Sequence, residues 1–142
     1  MAEGELTVTL SEEITLHGAE FSPSASITYS NIEFYDKNIK LIGTSLTELY
    51  TCSDDGTSAD YDWDKVLYTR ITNLDDTNSV FIEMQTSNGE WAYVEIVAKG
   101  SFIIQKHNGY VDDDGTQEKI DKVQAAFETA EGYIEIFIAR IA

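Results

Sequence analysis

The sequence predicts an all-β fold, a single antiparallel β-sandwich of jelly-roll-like character with roughly eight to ten strands. Three observations predict it. Apolar and polar residues alternate with period two through most of the chain, as half-buried strands require. Turn-forming residues recur at spacings of roughly 8–12 residues, the rhythm of a sandwich or barrel. There is one proline, Pro23, and no Gly/Ser-rich linker, so residues 1–142 read as one domain. A chain of that length buries roughly 68–70% of its unfolded surface and needs neither metal nor disulfide to hold a core.

The elements follow in order. In "LTVTL" (6–10), Leu6, Val8 and Leu10 alternate with threonines, which suits a half-buried strand. "SITYSNIEFYD" (26–36) offers Ile27 and Tyr29, then Ile32 and Phe34. Those two sets share a face only if a bulge near Ser30–Asn31 resets the register. "NIKLIGTSLTELYT" (38–51) reads as one or two strands, and "CSDDGTSADYDWD" (52–64) as a polar loop turning at Asp55-Gly56. "KVLYTRITN" (65–73) and "SVFIEMQ" (79–85) are strands, the second with Val80, Ile82 and Met84 on one side. "SNG" (87–89) is a hairpin turn into "WAYVEIV" (91–97), and "GSFIIQ" (100–105) follows a Lys99-Gly100 step. "KIDKVQAAFE" (119–128) fits a helical stripe through Ile120, Val123 and Phe127 and a strand through Val123, Ala125 and Phe127. The strand is favoured, because "TAEG" (129–132) resembles a hairpin connection into "YIEIFIARI". That run places Ile134, Ile136 and Ile138 on one face and is the strongest strand signal in the chain.

Charge narrows the partners. The formal net charge is −17, from 26 acidic and 9 basic residues, with no basic residue before Lys37. Such a surface offers no Lys/Arg cluster to displace counterions, so neither nucleic acid nor an anionic membrane is an expected partner. The opening "MAEGELTVTLSEEITL" is not a cationic, continuously apolar leader, and "YIEIFIARIA" is half the length of a spanning helix, so a soluble protein is expected. The single Cys52 cannot form an internal bridge and reads as a small half-buried residue.

Three stretches resemble a group of small virion proteins of tailed bacteriophages, particularly those of marine bacteria: the opening "MAEGELTVTLSEEITLHG", the middle "YTRITNLDDTNSVFIEMQ" with "EIVAKGSFII", and the closing "AAFETAEGYIEIFIA". The first looks like their amino-terminal strand pair. The "LDDTN" portion is the most specific. The resemblance implies a particle-bound structural component. The "YTCSDDGTSADYDWD" stretch departs from the group's pattern.

The residues point to no chemistry. "RITN" leaves one strand, "LDDT" turns, and "NSVFIEM" returns, with Asp and Asn favoured because they bond their own backbone. For calcium, Gly115 at the sixth EF-hand position places Tyr110 at the first, and Gly56 places Thr51 and Ser53 at the first and third, so neither loop fits. Irregular sites on Asp112, Asp113 and Asp114, or on Asp60, Asp62 and Asp64, stay open. His17, His107 and Cys52 show no zinc spacing and no nucleophile context. A glycosidase carboxylate pair has no specificity among so many acids. No catalytic residue, metal or cofactor is expected.

Tyr61 and Trp63, within the acidic "DYDWD", are the possible interface residues. A loop folded back so that Trp63 covers a sheet end is the leading reading, and amphipathic rings of this kind also suit a neighbouring subunit or, less so, a sugar platform. The expectation is a non-enzymatic capsid decoration (cement) protein on the virion surface, made in the host cytoplasm. Its partners would be the major capsid protein or other virion proteins and further copies of itself, a trimer by analogy. The alternatives are a tail or head–tail completion component and a glycan-binding module.

Overall fold

The computed structural model describes residues 4–54, 58–105, 110–111, 115 and 117–142. The chain is all-β. In order it forms β1 (Gly4–Ser11), β2 (Ile14–Leu16), β3 (Ala19–Phe21), β4 (Ser24–Ile32), β5 (Phe34–Ile42), β6 (Thr47–Ser53), β7 (Tyr61–Asp62) and β8 (Val66–Asn73). It continues through β9 (Val80–Thr86), β10 (Trp91–Ile96), β11 (Ser101–Ile104), β12 (Tyr110–Val111), β13 (Gln117–Glu118), β14 (Ile120–Phe127) and β15 (Gly132–Arg140).

Two sheets make the sandwich. One has the order β11-β8-β15-β5, the other β10-β9-β14-β6 with the two-residue β7 added in parallel at its edge. Counting only the longer strands from β5 onward, these orders are 6-3-8-1 and 5-4-7-2, the jelly-roll arrangement. The partners nest from the outside in: β5 with β15, β6 with β14, β8 with β11, and β9 with β10, all antiparallel. The fold is thus one long hairpin rolled over on itself.

That topology corrects two connections. Residues 129–132 do not close a hairpin, because β14 and β15 lie in opposite sheets. "LDDT" likewise carries the chain from β8 in one sheet to β9 in the other instead of returning it beside itself. Only the β9–β10 link, through Gly89 at φ 83°, joins neighbours among these longer strands. Asp55-Gly56 lies outside the described residues.

The core fills the space between the sheets. Val80, Ile82, Val123, Ala125 and Phe127 face Ile71, Ile134, Ile136 and Ile138 across it, and Cys52 is buried among them. "KIDKVQAAFE" is a strand because both its edges are paired, with β9 and β6, and its Val123, Ala125 and Phe127 face points inward. Gly132 opens β15 directly beneath Phe127, where an added Cβ would lie 2.6 Å from the ring.

The first four strands stand apart. β1 pairs with β4 and β2 with β3, and every pair from Leu6↔Tyr29 to Leu16↔Ala19 keeps one register about the His17-Gly18 turn. They are one continuous hairpin, interrupted as regular strand only where Glu12 donates to the Pro23 carbonyl at 3.0 Å and Pro23 has no N–H to return. His17 and Gly18 both have positive φ, 52° and 82°, as a two-residue type I′ turn requires. At the root, Glu5 faces both Ser30 and Asn31, so the bulge expected there is present, with Asn31 at φ 63°.

Candidate functional site

A polar concavity of about 470 Å³ between β5 and the β6–β7 edge brings ionisable groups together. Its geometry is structural. The Tyr61 hydroxyl donates to Asp36 Oδ2 at 3.1 Å, and the Tyr61 ring meets Tyr50 edge-on at 5.8 Å. Arg140 lies 4.5 Å over Phe34 and 5.9 Å from the Tyr61 ring, with Nε 4.0 Å from Asp36 Oδ2. Lys40 Nζ donates to the Leu49 carbonyl at 3.0 Å. Burial, reinforced by Asp36, pushes the Tyr61 hydroxyl far above the ordinary phenol range, so it stays protonated and is no base.

Trp63 is also turned inward. Its Nε1–H donates to the Ile120 carbonyl at 2.8 Å, and Lys119 Nζ sits 4.6 Å above the ring. Both Tyr61 and Trp63 are half-buried against the core, closing the sandwich edge, and their polar ends are already matched within the chain. Trp91, by contrast, is about half exposed on edge strand β10, with Tyr93 on the same face.

Among the described residues the candidate ligands do not come together. His17 is at the exposed hairpin tip and Cys52 is in the core, while His107 and Asp112–Asp114 lie outside the described residues. Burial pushes the Cys52 thiol up to about 12. Asp60 Oδ2 accepts from the Thr51 amide at 3.0 Å, and Asp62 Oδ1 accepts from the Asp64 amide at 2.9 Å. No group of three potential metal ligands occurs among the described residues.

"NLDDTN" is wired to its own backbone. Asp75 Oδ1 accepts from the Thr77 amide at 2.8 Å and the Asn78 amide at 2.6 Å, and these bonds lower the Asp75 pKa. Buried Asn73 accepts from the Asp75 amide at 2.9 Å and donates to the carbonyls of Asn78 and Ile96 at 2.8 and 3.1 Å. The motif is therefore a strut between the two sheets.

The functional candidate is a surface. Alternation along one unbroken register puts Leu6, Val8, Leu10, Ile14 and Leu16 on one face of the N-terminal hairpin. Ala19, Phe21, Pro23, Ala25, Ile27 and Tyr29 share that face from the opposite strand. Glu12 is its one charged member. The other face is serine, threonine and glutamate, with hydroxyl pairs Thr7–Thr28 and Thr9–Ser26 at 3.2 and 2.9 Å. Only the root is seated. Tyr29 packs on Tyr68 at 5.8 Å, which is why Tyr68, on the outer face of its sheet, is 3% exposed. Every residue from Thr9 to Thr28 is exposed, Leu16 at 60% and Phe21 at 67%.

Sequence reasoning found β1 but missed the arm. The signal was present: reading His17-Gly18 as a turn pairs "LTVTLSEEITL" with "AEFSPSASITY" in phase. The arm's root sits on the outer face of β8 and β15, and further along that face lie Ile39 and Leu41 of β5 and Tyr133 of β15, all exposed. Between root and strip, Lys37 and Arg70 share Glu135 at 3.6 and 2.7 Å.

No protein-family model matches the chain, and no curated protein matches it in sequence.

Proposed function

We propose that the chain is a non-enzymatic structural protein of a bacteriophage particle, a decoration (cement) protein that coats and stabilises the head. One observation carries this reading: an acidic sandwich projects an arm whose apolar face is open to water along its outer half. A contiguous exposed apolar face on an otherwise charged molecule marks an interaction surface. A protein made to adhere needs such a surface and no reacting groups. The jelly roll is an architecture shared by viral capsid and lectin domains, and by analogy this agrees with the virion resemblance of "LDDTN" and its flanking strands.

The mechanism is additive. Identical copies bury apolar area against the shell and against each other, and symmetry multiplies weak contacts into avidity. Because that binding exists only in the assembled state, it stabilises the shell by mass action. The excess of carboxylates keeps coated particles apart in solution.

Quantitative mass spectrometry of purified particles tests the reading. Hundreds of copies per particle support decoration, whereas about six to twelve support a tail or head–tail position, the numbers that cyclic symmetry there dictates. Absence from the particles overturns both. A glycan-binding module is the second reading, favoured by the exposed Trp91 and Tyr93 on β10. Glycan-array binding that Trp91→Ala abolishes would establish it in place of the first.

A further inference from the structure

We propose that the arm is exchanged between copies of this chain: the apolar outer half of one copy's hairpin lies on the Ile39–Leu41–Tyr133 strip of the next. This inference goes beyond the particle assignment and stands or falls independently of it.

Each chain presents both halves of the contact. Leu10, Ile14, Leu16 and Phe21 form the open apolar face, roughly 20 Å from Leu10 to Leu16 at about 3.4 Å per residue. The strip is a continuation of the surface that already receives the arm's root, two and four residues beyond Lys37 on β5 and beside it on β15. The arm leaves its own strip uncovered: beyond the root, Leu10, Ala25 and Ile27 lie beside Tyr68, Ile103 and Gln105, towards β11, while Ile39, Leu41 and Tyr133 stay exposed. A second copy's arm can cover it.

Charge selects the same partner. The arm from Gly4 to Ile32 carries Glu5, Glu12, Glu13 and Glu20 and no basic residue. Most of a chain of net charge −17 would repel it. The strip adjoins the exception, where Lys37 and Arg70 face the single carboxylate of Glu135 and Lys37 is largely exposed. Glu12, the one charge on the arm's apolar face, is the natural partner for Lys37. Giving one arm and receiving one makes the contact reciprocal and isologous in a two-fold dimer, and heterologous in a larger ring that closes by rotation.

The test uses the purified full chain, with no particles, in salt that screens repulsion to about 8 Å. Light scattering after size exclusion, over a concentration series, reads the oligomer. The wild type is expected to form one discrete closed species. Leu16→Ser/Phe21→Ser in the arm and Ile39→Ser/Leu41→Ser in the strip each weaken it roughly 30-fold or more, as loss of buried anchors does. All four positions are exposed in the single chain, and a thermal midpoint equal to that of wild type diluted to its monomer verifies the variants' folds. The decisive step mixes the two variants. The strip variant still has an arm and the arm variant still has a strip, so a mixed dimer returns. A wild type that stays monomeric throughout overturns the exchange and leaves the particle reading untouched. A strip variant that associates like wild type also overturns it, by showing that arms pack on arms.

Discussion

β15 and the arm are built from the same pattern and end in opposite environments. "GYIEIFIAR" alternates, and its Ile134, Ile136 and Ile138 are all buried. "LTVTL" alternates as cleanly, yet Leu10 and, further out, Leu16 remain open to water. Both follow from a side-chain period of two. What differs is the second layer. β15 has a sheet across from it, and the arm is a ribbon with nothing over its outer half. Alternation thus tells which face is apolar and leaves open what covers it. In this chain the first answer describes the core, and the second is what the proposed arm exchange addresses.

The sharpest way to break that comparison is to truncate one phenylalanine in each region. Phe127 is almost wholly buried, and Phe127→Ala is expected to cost about 3–5 kcal/mol, the transfer term plus an unfilled cavity. Phe21→Ala removes the same ring from the exposed arm and should change monomer stability by no more than about 0.5 kcal/mol. Urea unfolding followed by tryptophan fluorescence measures both. Equal losses would mean that the arm is packed in solution and that the two regions do not differ.

A smaller effect comes from adding one carbon. In Gly132→Ala the new Cβ would lie 2.6 and 2.8 Å from ring atoms of Phe127, so the ring or the start of β15 must shift. Overpacking of this kind costs about 1–3 kcal/mol. Gly18→Ala at the arm's turn meets no neighbouring atom, and any penalty there comes from its φ of 82° alone. The pair separates crowding from backbone conformation. A core that tolerates Gly132→Ala without loss would show that Phe127 has room the structure does not give it.

The longer strands of the sandwich were legible because each carries its own alternation, and the place where a bulge could reset the register, Ser30–Asn31, was marked by two apolar sets of opposite parity. The layer that each strand joins was not. "TAEG" and "LDDT" carry ordinary turn residues, and nothing local distinguishes a turn within a sheet from one that crosses between sheets. That choice is made by distant partners, β5 for β15 and β6 for β14. For Tyr61 and Trp63 a loop folded back over a sheet end was legible, but what holds it there was not: the hydrogen-bond partners, Asp36 and the Ile120 carbonyl, lie 25 and 57 residues away in sequence. The arm needs only its own two strands, and residues 12–25, which join them, were not read for a strand partner.

The finest distinction lies between two carboxylates of the sandwich and one of the arm. Backbone amides of Asn78 and Thr77 hold the Asp75 pKa below its ordinary 3.8, so Asp75 contributes stability above that value and loses it as pH falls through the lowered pKa. Asp121 is opposite in sign. Burial first, then the charges of Asp54 and Glu118, raise its pKa, so it is innocuous below 3.8 and opposes folding as pH rises. Asp75→Asn keeps the acceptor oxygen but loses its charge, and should lower the thermal midpoint at neutral pH. Asp121→Asn should raise it, and Glu20→Gln on the arm should leave it unchanged. On acidification Asp121→Asn should converge on the wild type from above by about 3.8, and Asp75→Asn from below only once pH passes the lowered pKa of Asp75. Differences that persist undiminished at acid pH would mean that shape, and not charge, sets what these two side chains contribute.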